Sequence, residues 1–302
     1  MIPRRKFRLK LRSRTLILGP RTLVMGVLNV TPDSFSDGGN FLSQEKAVQH
    51  ALQMERDGAD LIDIGAESTR PGSVGINAEE EWSRLAPVLA ALRTRLKIPV
   101  SVDTRKSEIA AKAIESGAEL INDVSGLKHD PRIAKISARA RVPLILMHMR
   151  GEPQTMQQKP FARDALKDVS QGLRASVSIA RKAGVANSQI VLDPGIGFGK
   201  SYAQNYQLLA ELPQLAKLGF PLLVGTSRKG FIGKTLDQNA KIAASAQTAG
   251  VAAEIKIWGT AATVTASILQ GAHIVRVHDV AQMLSVARVA DCMLDPTLAP
   301  KH

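Results

Sequence analysis

Eight short apolar runs follow one another along this chain, and the gaps between them leave room for one helix each time. The runs cover residues 23–30, 61–65, 100–104, 120–126, 144–149, 190–197, 222–227 and 274–279. They are near-continuous in Val, Ile and Leu, as parallel strands covered on both faces require. An open doubly wound sheet gives the same pattern, but a count of eight favours closure into a (β/α)8 TIM barrel of the α/β class. Strand ends in such a barrel converge on one face, where chemistry sits. Asn29, Asp63, Asp103, Asn122, Asp193, Ser227 and Arg276 lie near the ends of seven runs, while the fifth, ending around His148, is less defined.

No Pro-, Ser- or Gly-rich linker divides the 302 residues, and 44% of them are hydrophobic, so a single domain is expected. Residues 21–295 would form the barrel and residues 1–20 a basic segment folded as a short β-hairpin cap. Seven basic residues, from Arg4 to Arg14, precede any acid and contribute to a formal charge of +13. Phe7, Leu9 and Leu11 alternate with them at period two, which reads as a strand with a solvated charged edge. The run lacks the interleaved aromatics of a nucleic-acid platform, so no nucleic-acid partner is expected. A basic surface still attracts small anionic substrates. Cys292 stands alone, which excludes an internal disulfide and suits a reducing compartment, the cytoplasm. No apolar run approaches the roughly 18 residues of a membrane span.

Helix signals fill the gaps. Ser43 is placed as the cap of a helix running to about residue 57, and further helices are expected over 78–96, 107–117 and 131–140. A long helix should end near Gly184, one helix should cover 203–218, and an Ala-rich stretch over 242–271 should break near Gly259. A last helix covers 280–293.

The glycine-rich segment 193–201 invites a phosphate-loop reading and fails it, because Pro194 stands where the first glycine of G-x-x-x-x-G-K-[ST] belongs. Segment 230–235 fails likewise, with Arg228 in that position. The first loop instead offers close backbone approach to a flat ligand, with Phe198 available to stack. Asp103, Asn122 and Asp193 are acceptors that suit a ligand edge with adjacent N–H groups, such as an aminopyrimidinone. The competing reading makes each Asp a helix cap. Lys229 and Arg276 add donors. Arg276 and His278 on the last run fit the usual phosphate position of a barrel, and Asn29 could offer its side-chain oxygen to Mg²⁺. The segment at Ser227–Lys229 opens a helix whose free N–H groups suit a carboxylate.

Taken together, these segments resemble dihydropteroate synthases. The resemblance spans residues 23–280 and rests on GVLNVTPDSFSDGG at 26–39, DIGAESTRPG at 63–72, SVDT at 101–104 and IND at 121–123. It extends through MHM at 147–149, DPGIGFGK at 193–200, SRK at 227–229 and RVHD at 276–279. It implies a (β/α)8 barrel that joins 6-hydroxymethyl-7,8-dihydropterin diphosphate to 4-aminobenzoate, with Mg²⁺ as cofactor, a homodimeric assembly and sulfonamides as inhibitors. It implies pterin contacts at Asp103, Asn122, Asp193 and Lys229, with Met147 among the substrate-binding residues. Asn29, Arg276 and His278 would meet Mg²⁺ and diphosphate, with Asn29 as the metal ligand. Thr69, Arg70, Pro71, Phe198 and Ser227 would form the aminobenzoate pocket. Asp33, Asp37, Asp103 and Lys229 would serve catalysis. Two positions depart from the family pattern: Ala66 replaces a usual Gly, and Gly230 a frequent Ser. A pterin-dependent methyltransferase would share the Asp/Asn contacts but needs neither the diphosphate clamp nor the Thr69-Arg70-Pro71 segment. A non-catalytic pterin-binding relative would not need the full set.

Overall fold

The computed structural model describes residues 4–31, 39–69, 72–152, 154–156, 162–238 and 249–300. A hairpin, β1 (Phe7–Lys10) and β2 (Thr15–Leu18), precedes the first barrel strand, β3 (Leu23–Asn29). There follow α1 (Gly39–Arg56), β4 (Leu61–Gly65), α2 (Ala78–Leu92), β5 (Val100–Asp103), α3 (Ser107–Glu115), β6 (Leu120–Asp123), α4 (Arg132–Ala140), β7 (Leu144–Met147) and α5 (Ala165–Lys182). The chain continues with β8 (Ile190–Asp193), α6 (Tyr202–Ala210), α7 (Leu212–Ala216), β9 (Leu223–Val224), α8 (Gly230–Asp237), α9 (Ala249–Leu269), β10 (Ile274–Val277) and α10 (Val280–Leu294).

The hydrogen-bonded strand order is β8-β7-β6-β5-β4-β3-β10-β9, and Leu192 and Leu222 close the ring through one parallel bridge. This is the eight-stranded barrel that the apolar runs predict. Strand pleating then sorts the interior. Leu61, Leu120, Ile145, Val191 and Ile274 belong to an apolar cluster inside the barrel floor. Two residues further along the same strands stand Asp63, Asn122, Met147, Asp193 and Arg276. Period two keeps each pair on one face, so a dry floor and a polar mouth come from the same strands.

Leu9, Leu11 and Leu18 of the hairpin join that floor cluster, so the cap plugs the barrel's lower end. Its arginines are structural ties. Arg4 donates to Thr22 Oγ1, to the Ala272 carbonyl and to Asp291 Oδ1 at 2.5, 2.9 and 2.5 Å. Arg12 and Arg14 donate to the carbonyls of Ile114 and Lys97 at 3.0 and 2.8 Å. The front-loaded charge is thus partly consumed by backbone acceptors at the barrel base. No helix among the described residues is long and apolar enough to cross a membrane.

Three helix expectations need correction. Position 43 lies inside α1 rather than before it, because the helix begins at Gly39. The stretch 203–218 is two helices, since Pro213 lacks the N–H that a continuing helix needs and instead sits in the first turn of α7. The helix around Gly259 is unbroken. There the glycine serves packing: a Cβ would stand 2.4 Å from Ile232 Cγ2 and 3.1 Å from Leu236 Cδ1, both on α8. Helix propensity favours Ala over Gly by about 1 kcal/mol, while forcing a methyl into a filled interface costs about 1–3 kcal/mol. Gly259→Ala should therefore destabilise the protein in urea unfolding. A raised midpoint would show that α8 yields freely.

Candidate active site

Arg276 on β10 reaches across the mouth. Its Nε donates to Asp63 Oδ2 at 2.7 Å and its Nη2 to Asp103 Oδ2 at 3.3 Å. Asp63 Oδ2 also accepts from Asn122 Nδ2 at 2.9 Å. A carboxylate only accepts, so the Asn122 amide must turn its nitrogen to Asp63. Its Oδ1 is then a buried acceptor with no hydrogen-bond partner, as is Asp63 Oδ1. Burial and the Asp63 charge push the Asp103 carboxyl well above the usual carboxylate range, against the pull of Arg276. Burial works against the Arg276 charge, but Asp63 and Asp103 overcome it and raise its pKa.

Asp193 ends β8 and accepts the Gly195 N–H at 2.7 Å. Neither it nor Asp103 caps a helix: Ser201 caps α6 with a capping box, and α3 has no side-chain cap. Burial lifts Asp193 to about 6 even though Gly195 and Lys229 favour its charge. Lys229 is drawn down to about 8 by burial and by Arg276. Its Nζ lies 3.8 Å from the centre of the Phe198 ring, within cation–π range. Phe198 packs in turn on Val124, Met147, Met149 and Met156. Arg228, just before Lys229, takes φ +58, a conformation costing about 1 kcal/mol for a side chain other than Gly or Asn. Its guanidinium holds Asp279 at 2.6 Å.

Ser227 and His278 form a pair. The His278 backbone N–H donates to Ser227 Oγ at 3.2 Å, and Ser227 Oγ meets His278 Nδ1 at 3.0 Å. In the tautomer whose Nδ1 accepts the Ser227 hydroxyl proton, the ring carries its own proton on Nε2 as a donor. Burial and Arg276 lower the His278 pKa to about 3, in agreement with a neutral ring. Asn29 ends β3, half-buried. Thr69 lies in the loop after β4. Asp33, Asp37, Arg70 and Pro71 fall outside the described residues. Just before Thr69, Glu67 binds Arg105 at 2.7 Å and Lys106 at 2.6 Å. Lys106 also holds the fully buried Glu81 of α2 at 2.5 Å, which anchors the base of that loop.

The structure therefore joins Asp103, Asn122 and Arg276 in one network, Asp193, Lys229 and Phe198 through a shared loop, and Ser227 and His278 as a bonded pair. It adds Asp63, which strand position suggests in sequence but whose role as partner to both Asn122 and Arg276 needs coordinates.

A (β/α)8 barrel with orphaned acceptors beside buried cations at the strand ends defines the class, a barrel enzyme that takes a polar heterocycle. Residues 25–278 match the model of the pterin binding enzyme family. The dihydropteroate synthase of Synechocystis sp. is 48% identical over 275 residues, covering 91% of each chain. A solved dihydropteroate synthase of Xanthomonas albilineans with 4-aminobenzoic acid superposes with a TM-score of 0.85 at 40% identity, over 98% of this chain and 100% of that one. The same enzyme in complex with 7,8-dihydropteroate gives 0.82 at 38% identity, over 97% and 100%. The chain belongs to the pterin binding enzymes, and within them to the dihydropteroate synthase family.

Removing one partner of a buried ion pair leaves an uncompensated charge, at a cost of about 3 kcal/mol. Asp63→Ala should lower folding stability by about that amount in denaturant titration. A loss well under about 1 kcal/mol would mean that Asp103 alone satisfies Arg276.

Proposed function

We infer that this chain condenses 6-hydroxymethyl-7,8-dihydropterin diphosphate with 4-aminobenzoate, forming 7,8-dihydropteroate and diphosphate in folate biosynthesis. The observation that carries the reading is the unpartnered Asn122 Oδ1, buried in the same mouth as Asp103 and Asp193. A pterin edge rich in N–H groups would satisfy such acceptors, and a buried acceptor left unpaired costs about 1–3 kcal/mol.

In the reaction the bond from the pterin methylene carbon to the diphosphate oxygen breaks, and the electron pair leaves with diphosphate. The aminobenzoate nitrogen bonds to that carbon and then loses a proton. Arg276 Nη1 and His278 Nε2–H are the donors assigned to the diphosphate, where preorganised positive groups act most strongly on developing charge. Asp103, with Asp33 and Asp37, which follow β3 in sequence, would stabilise the pterin cation. Lys229 and Asp193 hold the ring, with Met147 beneath Phe198. Thr69, Arg70, Pro71, Phe198 and Ser227 are assigned to the aminobenzoate, whose carboxylate would meet the first N–H groups of α8. At Gly230, where that helix opens, a Cβ would meet nothing within 4 Å, so the family's frequent serine would fit and its absence here leaves only backbone donors.

Mg²⁺ fits the mouth through Asn29. Its neutral amide oxygen is a hard donor that makes no hydrogen bond among the described residues, and Mg²⁺ carried by phosphates needs only one or two protein ligands. When bound, the ion neutralises charge on the departing diphosphate. The protein is proposed to be a cytoplasmic homodimer. Trp258 on α9 and Val289 and Met293 on α10 are exposed apolar side chains that a second copy would cover. A monomeric mass in sedimentation at micromolar concentration would refute that assembly.

Diphosphate release that needs both substrates and Mg²⁺ tests the reaction, and release from the pterin diphosphate at the same rate without 4-aminobenzoate would sink it. Asn122→Leu removes the orphan acceptor without changing bulk and should weaken pterin binding about 10-fold or more. Unchanged affinity would remove Asn122 from the pterin contacts.

Asp193 accepts two parallel charge-assisted N–H bonds only as a carboxylate, so pterin affinity should fall as pH drops through about 6. Lys229 faces Arg276, Asp193 and Asp103 and loses its charge above about 8. Binding of a pterin without its diphosphate, which avoids phosphate titration, should be bell-shaped between these limits. A flat profile from pH 5 to 9, a range of about two units on either side of neutrality, would exclude both groups.

A further inference from the structure

Lys200 ends the glycine-rich loop, and its ammonium points inward rather than toward a ligand. It is 3% exposed. Its Nζ donates to the carbonyls of Gly195 at 2.8 Å, Phe198 at 2.9 Å and His148 at 3.3 Å, and lies 3.3 Å from His148 Nδ1. Three N–H bonds thus serve two loops, the one after β7 and the one after β8. His148 completes the arrangement. Burial and the Lys200 charge hold its pKa down to about 2, so the ring is neutral. The His148 carbonyl and Nδ1, both at 3.3 Å, share one ammonium hydrogen; an ammonium cannot accept, so the ring proton belongs on Nε2, which faces Asp168 Oδ2 of α5 at 3.5 Å.

The surroundings are cut to fit this unit. A Cβ on Gly172, in the middle of α5, would lie 2.4 Å from His148 Cδ2. A Cβ on Gly195 would lie 1.9 Å from the His148 carbonyl oxygen, and one on Gly199 would lie 2.1 Å from that of Arg150. Gly172 forgoes about 1 kcal/mol of helix propensity relative to Ala, and the space it leaves is filled by the His148 ring. The loop so held carries two groups of the mouth. The Gly195 N–H donates to Asp193, and the Phe198 ring faces Lys229.

We propose that Lys200 is a positioning residue for the pterin site, acting with His148 and Asp168 as one buried unit that sets the 195–199 backbone and through it Asp193, Phe198 and Lys229. The inference rests on the pterin reading above. The unit touches no reacting atom. Its effect is on how well the pocket is formed before the substrate arrives, and a misplacement of about 1 Å in such a pocket can cost up to about 100-fold.

The test compares Lys200→Met with the unaltered protein by calorimetric titration with the pterin diphosphate and by steady-state kinetics. Lys200→Met should bind the pterin about 10-fold more weakly. Its KM for that substrate should rise in proportion, and kcat at saturation should change less. Asp168→Asn keeps the fold accessible, because Asp168 is a partly exposed side chain on α5. It weakens the contact on the far side of His148 and the 3.0 Å pair with Arg150, and should shift KM in the same direction by about 3-fold. A Lys200→Met protein that melts at a lower temperature yet binds the pterin as the unaltered protein does would overturn the proposal. So would a Lys200→Met protein that does not fold, together with an Asp168→Asn protein of unchanged KM. Failure of the unaltered protein to bind the pterin diphosphate would overturn the reaction reading, and this inference with it.

Discussion

One guanidinium sits between two carboxylates inside a ring of strands, and much of the mouth is arranged around that fact. Asp63 has no exposure at all, and a carboxylate so placed is tolerated only when paired and hydrogen-bonded. Arg276 supplies the charge and Asn122 a second hydrogen bond. Asp63 in turn orients both side chains, so the residue least able to touch a ligand decides what its neighbours present. Asp103 has a smaller share of the same cation, at 3.3 Å. Its raised pKa follows first from burial and then from the neighbouring Asp63 charge.

The barrel makes that concentration of charge possible. Parallel strands covered by helices exclude water from the lower interior, and the hairpin closes the floor. Charges just above that floor are strongly desolvated, and burial pushes several of them toward their neutral forms. Lys229 falls to about 8, Lys200 to about 7 and His278 to about 3, while Asp193 rises to about 6. These groups are held in a dry setting before any substrate enters, and in such a setting electrostatic interactions are stronger than in water. A ligand that brings both N–H donors and a polyanion would relieve several of these costs at once.

Much of the fold was legible in the residues themselves. Eight apolar runs at helix-sized intervals have few other solutions, and the polar residues near their ends fall on the mouth because strand side chains alternate with period two. Asp103 and Asp193 could be read as site residues from position alone. Helix boundaries were less legible. Gly259 looked like a break because a glycine lowers helix propensity, but the cause is a neighbouring helix, α8, which no local pattern reveals. The division at Pro213 was legible in principle, since proline lacks a donor.

Sequence alone determined which side chains reach the mouth of this barrel and that acceptors and cations meet there, because strand periodicity and residue chemistry are local properties. Tertiary structure decided how those groups are shared. It paired Asp63 with Arg276 across the ring, joined Ser227 to His278, and turned the lysine of a phosphate-loop look-alike inward onto three carbonyls. Those outcomes depend on distances between segments far apart in the chain, and only packing sets such distances.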